Sequence, residues 1–393
     1  MFGSPLNLRL TGAQTLRDGQ MQARSVVIED GVISKGPLPE VDLTGYYVLP
    51  GIIDLQSEAL YRHGAPHLHG AALTGALAAI DREAASNGVT TALLAQGWSW
   101  EGGARSPEQA KARLVALDRY RPHQLVDLHM QLRVETHIAD SVDDLISAVK
   151  RHAVTFVMFS NRLPDARDFA NRTSSDIVRW AEGAGCHPQD YSQLVQRAFE
   201  DGPQVPRNLC RLASLFDEQG VLYGSHHDPD AATREYYSMI GAKICQFPTG
   251  TAAAAAAIAV GDVVVTRATD LVCAASKARS YNASAMIQRG LCHALASDSY
   301  YPALHLAAFK LVEERVMDLA RAWNMISRTP AEILRLPDRG VIDYGKRADL
   351  TIIDAATRSV ECTIVNGRMA FLSGGAAERM LAGLKRTRRT VAA

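Results

Sequence analysis

Between Ile52 and Ser297 the chain alternates eight times between a short apolar run and a stretch with helical spacing. The runs cover residues 52–55, 89–94, 126–134, 154–159, 221–225, 242–246, 263–265 and 294–297. Such runs read as strands buried on both faces, as in a parallel sheet covered by helices. Helical spacing occupies 70–87, 107–120, 142–150, 236–240, 252–260 and 283–289, with several segments between 165 and 220, more than one crossover needs. Eight strands with helices between them predict the α/β class and a TIM-like (β/α)8 barrel, with function at the C-terminal strand ends.

The chain ends read differently. Residues 6–10 alternate apolar with polar, and Glu29-Asp30-Gly31 sits between apolar runs, a hairpin signal. Far along the chain, residues 349–354, 360–365 and 368–372 read as strands, the last two joined by Asn366-Gly367. The expectation is a small β-sandwich module built from both termini, 1–50 with 341–393, around a barrel at 51–340. Helices at 304–323 and 330–336 close the barrel. A tail from Gly374 has helical spacing to about Leu384, followed by a disordered end.

A chain of 393 residues can bury a large core. Its 42 basic and 42 acidic residues cancel, leaving no global field to draw nucleic acid or an anionic membrane. The six cysteines lack paired spacing and read as reduced thiols. The alanine-rich stretch 251–260 is too short to span a bilayer. With no basic, then apolar, N-terminal pattern, the reading is cytoplasmic, with neither nucleic acid nor membrane as partner. Homo-oligomerisation stays open.

Several polar groups follow the strands: Glu58, Glu135, His226-His227-Asp228 and Asp298. Alone, a strand-end carboxylate is commonly a helix cap and a histidine a hydrogen-bonded structural group. Together on one barrel rim they match a divalent-metal site, where the ion lowers the pKa of bound water and polarises the scissile group.

The phrase Pro50-Gly51-Ile52-Ile53-Asp54 resembles the start of the barrel in the amidohydrolase superfamily. Gly345-Lys346-Arg347-Ala348-Asp349-Leu350 resembles that superfamily's return to the β module. Further phrases resemble the ribose methylphosphonate triphosphate diphosphatase family of the carbon–phosphorus lyase (phosphonate) pathway: Arg133-Val134-Glu135, Arg167-Asp168-Phe169, Ser225-His226-His227-Asp228, Gln246-Phe247-Pro248-Thr249, Ser297-Asp298 and Asp338-Arg339-Gly340. The resemblance implies a metal-dependent hydrolase that removes pyrophosphate from a small phosphorylated substrate. It carries Glu135, His226, Asp298 and Glu58 over as metal ligands and Asp298 as the base. The expected substrate contacts are His227, Asp228 and Asn282, with the cationic Arg162, Lys277 and Arg279, which depart from the family's residues there and could neutralise phosphates.

This chain departs from the family at chemically important positions. Gln56 stands for the first-strand histidine, and an amide oxygen is a poorer ligand than imidazole. Ile80-Asp81 replaces His-Asp, and Asn161-Arg162 replaces Asp-His; arginine cannot coordinate a metal. The implied cofactor is therefore one divalent ion, zinc by ligand type, or none. Three readings stay open: a one-metal hydrolase; a non-catalytic relative binding a phosphorylated ligand or pathway partner; and metal-free binding or catalysis with Arg162, Lys277 and Arg279 neutralising phosphates. Arg162 is expected to face the mouth and pair with Glu58, Glu135, Asp298 or an anion.

Overall fold

The computed structural model describes residues 5–64, 68–172, 174–273 and 283–391. Seven strands precede the barrel: β1 (Leu8–Thr11), β2 (Gln14–Arg17), β3 (Gln20–Ala23), β4 (Val26–Glu29), β5 (Val32–Ser34), β6 (Glu40–Asp42) and β7 (Tyr46–Pro50). Eight follow: β8 (Ile52–Ser57), β9 (Val89–Trp98), β10 (Asp127–Glu135), β11 (Phe156–Ser160), β12 (Leu222–His226), β13 (Ile244–Gln246), β14 (Val263–Arg267) and β15 (Ala294–Ala296). Then come β16 (Leu350–Asp354), β17 (Val360–Val365) and β18 (Arg368–Leu372).

The two glycine turns behave as their sequences dictate. Asp30 and Gly31 take φ of 50° and 90°, and Asn366 and Gly367 take 51° and 68°. Positive φ at both turn positions matches the strand twist, so β4–β5 and β17–β18 form hairpins. One sheet runs β5-β4-β1-β6; the other runs β18-β17-β16-β7-β2-β3 and mixes strands from both chain ends. Leu8, Leu10 and Ile28 of the first pack with Val48, Ile352 and Ile364 of the second in one core.

The chain leaves this module at Pro50-Gly51. The Trp323 indole N–H donates to the Pro50 carbonyl at 2.9 Å. A Cβ on Gly51 would meet the Thr90 side chain at 2.3 Å, so only glycine fits. From there β8 to β15 are parallel, each paired with the next. A parallel bridge between Ser57 and Asp298 brings the last strand back to the first. Leu55, Leu93, Phe156, Met158, Ile244 and Val265 fill the barrel interior. The larger apolar cluster lies between the strands and the helices outside them. Among the described residues no helix is long and apolar enough to cross a membrane.

Between β11 and β12 stand four helices: Leu163–Arg172, Ser174–Ala184, Pro188–Glu200 and Val205–Gln219. Leu163, Ala166, Ala181, Tyr191 and Val195 give this insertion its own small core, against which Trp100 and Trp180 pack.

Two expectations need correction. The helix expected over 304–323 is two helices, Ala303–Glu313 and Leu319–Asn324. Arg315 takes a left-handed φ of 57°, and Asp318 starts the second helix by accepting the Arg321 N–H at 2.9 Å. The tail helix does not stop near Leu384 but runs Gly374–Val391.

Candidate active site at the barrel mouth

Parallel pairing places all strand C-termini on one rim. Glu135 is in register with Ser160, Ser160 with His226, and His226 with Gln246. Glu58 follows β8, and its N–H donates to the Asp298 carbonyl at 2.6 Å. Glu58, Glu135, His226 and Asp298 thus stand around one mouth.

What sits between them is an arginine. Strand alternation turns Arg133 to the same side as Glu135. Its Nη1 donates to Glu58 Oε1 at 2.8 Å and lies 3.2 Å from His226 Nε2. The Arg133 guanidinium holds the Glu58 carboxyl below its usual range. On the other side of the ring, His226 Nδ1 lies 2.9 Å from Gln246 Oε1, which also accepts from Gln131 Nε2 at 2.9 Å. An amide oxygen only accepts, so Nδ1 carries the hydrogen and Nε2 presents its lone pair to Arg133. Burial, then the neighbouring His227, Arg133 and Arg267, push His226 well below the usual histidine pKa, and it is neutral.

Glu135 is buried, which raises its pKa, and it accepts the Arg162 backbone N–H at 2.8 Å. Asp298 adopts a left-handed φ of 58°, and Arg267 Nε lies 3.7 Å from its Oδ1. Arg267 also contacts His227 Nε2 and stacks on Phe247 at 4.4 Å. The rings of His226 and His227 are 3.9 Å apart.

Two expected substrate contacts are placed differently. Asp228 is buried, accepting from Ser225 Oγ at 2.6 Å and pairing with the buried Arg234 at 3.2 Å. Its Oδ2 braces β12, while its buried Oδ1 has no hydrogen-bond partner among the described residues. The Arg162 side chain does not pair with Glu58, Glu135 or Asp298. Its Nε is 3.7 Å from Glu101 Oε1 and its guanidinium lies over Trp180 at 4.8 Å. The reason is local: Arg133 already holds Glu58, and the helical insertion supplies Trp180. Lys277, Arg279 and Asn282 lie outside the described residues.

The donor set as arranged does not fit a divalent ion. Glu58 is held by Arg133, Glu135 accepts a backbone N–H, and the free nitrogen of His226 faces a guanidinium. Gln56 is fully buried, and among the described residues neither its Oε1 nor its Nε2 has a hydrogen-bond partner. No group of three or more His, Cys, Asp or Glu among the described residues could hold a metal ion.

Sequence reading overlooked Arg133, Arg267, Glu101 and Gln246 as site residues. Arg133 was discoverable: it precedes Glu135 by two on a strand, so both face the same way. Glu101 and Trp180 meet only through the tertiary fold.

The amidohydrolase family profile matches residues 126–370. Over 366 residues the chain is 28% identical to the alpha-D-ribose 1-methylphosphonate 5-triphosphate diphosphatase of Escherichia coli strain K12, covering 88% of this chain and 93% of that one. Among solved structures, N-acetylglucosamine-6-phosphate deacetylase from Pasteurella multocida superposes with a TM-score of 0.61 at 12% identity, over 93% of this chain and 99% of that one. A D-hydantoinase superposes with a TM-score of 0.62 at 12% identity, over 95% and 96%. These two likenesses concern the fold.

Proposed function

Since this chain belongs to the amidohydrolase family, a family of hydrolases, we propose that its barrel mouth takes the phosphorylated end of a small molecule and that guanidinium groups supply the positive charge there. The observation that carries this reading is the Arg133 guanidinium between Glu58 Oε1, at 2.8 Å, and His226 Nε2, at 3.2 Å. Arg267 adds a second fixed charge beside Asp298. Arginine suits planar, bidentate recognition of phosphate oxygens. The diphosphatase relative carries a ribose and a triphosphate in its name, so a ribose polyphosphate is the substrate class to try first.

In this reading a water attacks phosphorus and its proton passes to Asp298, while the phosphoryl–oxygen bond breaks and the arginines take up the charge on the leaving phosphate. A second reading is the one-metal hydrolase with Glu135, His226, Asp298 and Glu58 as ligands: among the described residues both amide atoms of buried Gln56 lack partners, as beside a missing polar group. This reading requires Arg133 to leave Glu58 and His226. The third is a non-catalytic relative that binds the same phosphorylated ligand.

Metal analysis of protein purified without chelator, with calorimetric binding of tripolyphosphate and assay of ribose triphosphate hydrolysis with and without EDTA, separates the three. The arginine reading expects no stoichiometric metal and chelator-insensitive binding and turnover. Stoichiometric metal with EDTA-abolished turnover establishes the one-metal hydrolase. Binding without turnover in either condition leaves the non-catalytic relative, and absence of binding ends all phosphate readings.

A further inference from the structure

Beside the mouth, where the ends of β9 and β11 meet the helical insertion, lies a cleft of about 270 Å³. Three arginines line it, Arg105, Arg162 and Arg179, with Tyr61, Trp180 and one acid, Glu101. Glu101 is 5% exposed and accepts from Arg105 Nη1 at 2.9 Å, while Arg162 Nε lies 3.7 Å away. Among the residues that line the cleft, one carboxylate stands with three guanidinium groups, while Glu135 acts on Arg162 and Glu58 on Arg105 from the mouth.

The surrounding backbone holds this arrangement in place. A Cβ on Gly97 would meet the Arg105 side-chain stem at 2.9 Å, and a Cβ on Gly103 would meet the Ala184 carbonyl at 2.5 Å. Glycines at both points let the loop after β9 fold against the insertion. The Tyr61 hydroxyl accepts the Gly97 N–H at 3.0 Å, which leaves its own hydrogen for another acceptor. Arg162 Nε is buried without a hydrogen-bond partner among the described residues. A tyrosine hydroxyl, a buried guanidinium N–H and three arginines against one lining carboxylate share this space.

We propose that this cleft is a subsite for a phosphate dianion, the terminal phosphoryl group of a ligand whose other end reaches Arg133 in the mouth. The two places are joined: the Arg162 backbone donates to Glu135 in the mouth while its side chain lines the cleft, and Arg105 lies close enough to lower the pKa of Glu58. The subsite rests on the reading of the mouth as a phosphate site, and the test keeps the two apart.

Orthophosphate and tripolyphosphate are titrated calorimetrically into the wild type, Arg179→Ala and Arg133→Gln. Arg179 is exposed, so its loss leaves folding intact. A charged hydrogen bond lost from a phosphate weakens binding at least tenfold. The subsite expects Arg179→Ala to weaken both ligands by at least that factor, and Arg133→Gln to weaken tripolyphosphate alone. Should Arg179→Ala leave both affinities unchanged while Arg133→Gln weakens tripolyphosphate, the subsite is overturned and the mouth reading survives. If the wild type binds neither ligand, both fall.

Discussion

His226 Nδ1 and Gln246 Oε1 meet at 2.9 Å across the paired strands β12 and β13. The pair fixes the imidazole with its hydrogen toward the amide and its lone pair toward Arg133. An amide cannot stabilise imidazolium as a carboxylate would, so the ring stays neutral. Gln246→Glu supplies that charge. The His226 pKa is expected to rise by at least one unit, read by the pH titration of its ring resonances. An unchanged titration would mean that burial alone sets the histidine.

Removing Arg133 leaves Glu58 without its cation. Breaking a buried ion pair costs about 3–5 kcal/mol, and the low end applies here because the Glu58 side chain is 31% exposed. Arg133→Ala is therefore expected to lower stability by about 3 kcal/mol in urea denaturation. The same change releases Glu58 and His226 Nε2. Zinc affinity, measured by calorimetry, should rise at least tenfold over the wild type; equal affinities would show that the arginine is not what excludes the ion.

Asp54 gives the barrel seam a pH dependence. Its carboxyl is fully buried and accepts the Ser297 N–H at 2.9 Å and the Gln56 N–H at 3.2 Å. Burial pushes its pKa up to about 7 from 3.8. Between these values the folded chain holds a proton that the unfolded chain has lost. The associated stability is complete below about pH 4 and is lost as pH rises to about 7, on the order of 4 kcal/mol at 1.36 kcal/mol per unit. Asp54→Asn should flatten that stretch of a urea-midpoint profile. A mutant profile with the same slope would locate the effect elsewhere.

Gly224 lies on β12 where a Cβ would stand 2.2 Å from the Ile244 carbonyl oxygen. Backbone cannot yield as a flexible side chain can. Gly224→Ala is expected to cost about 3 kcal/mol, the upper part of the overpacking range, and to lower the thermal midpoint by several degrees. A midpoint within one degree of the wild type would contradict the close approach of β12 to the Ile244 carbonyl.

The fold was legible because its signals are local. Asp30-Gly31 and Asn366-Gly367 dictate their turns by φ alone, and apolar runs separated by helical spacing mark each barrel strand. The helix break at Arg315 was not legible, since no glycine or proline marks it. The rim placement of Glu58, Glu135, His226 and Asp298 followed from strand ends. What those groups contact did not. Arg133 displaces Arg162 as the partner of Glu58, Asp228 turns inward to Arg234, and Glu101 meets Arg162 and Tyr191 through a helical insertion remote in sequence. Such pairings depend on side chains from separate elements, which neither spacing nor propensity encodes.

Strand β7 lies between β16 and β2 in the six-stranded sheet, with Pro50 in register with Leu350. During synthesis the first of these strands leaves the ribosome long before its neighbour exists. Its unpaired edge and the apolar side chains of Val48 and Leu49, on opposite faces of the strand, must wait, and an open edge templates association with other chains. Strand β7 is thus clasped into its sheet only by residues made about 300 positions later. A fragment ending before Leu350 is expected to elute as oligomers in size-exclusion chromatography, at a larger apparent size than residues 1–393, whose β16 covers that edge.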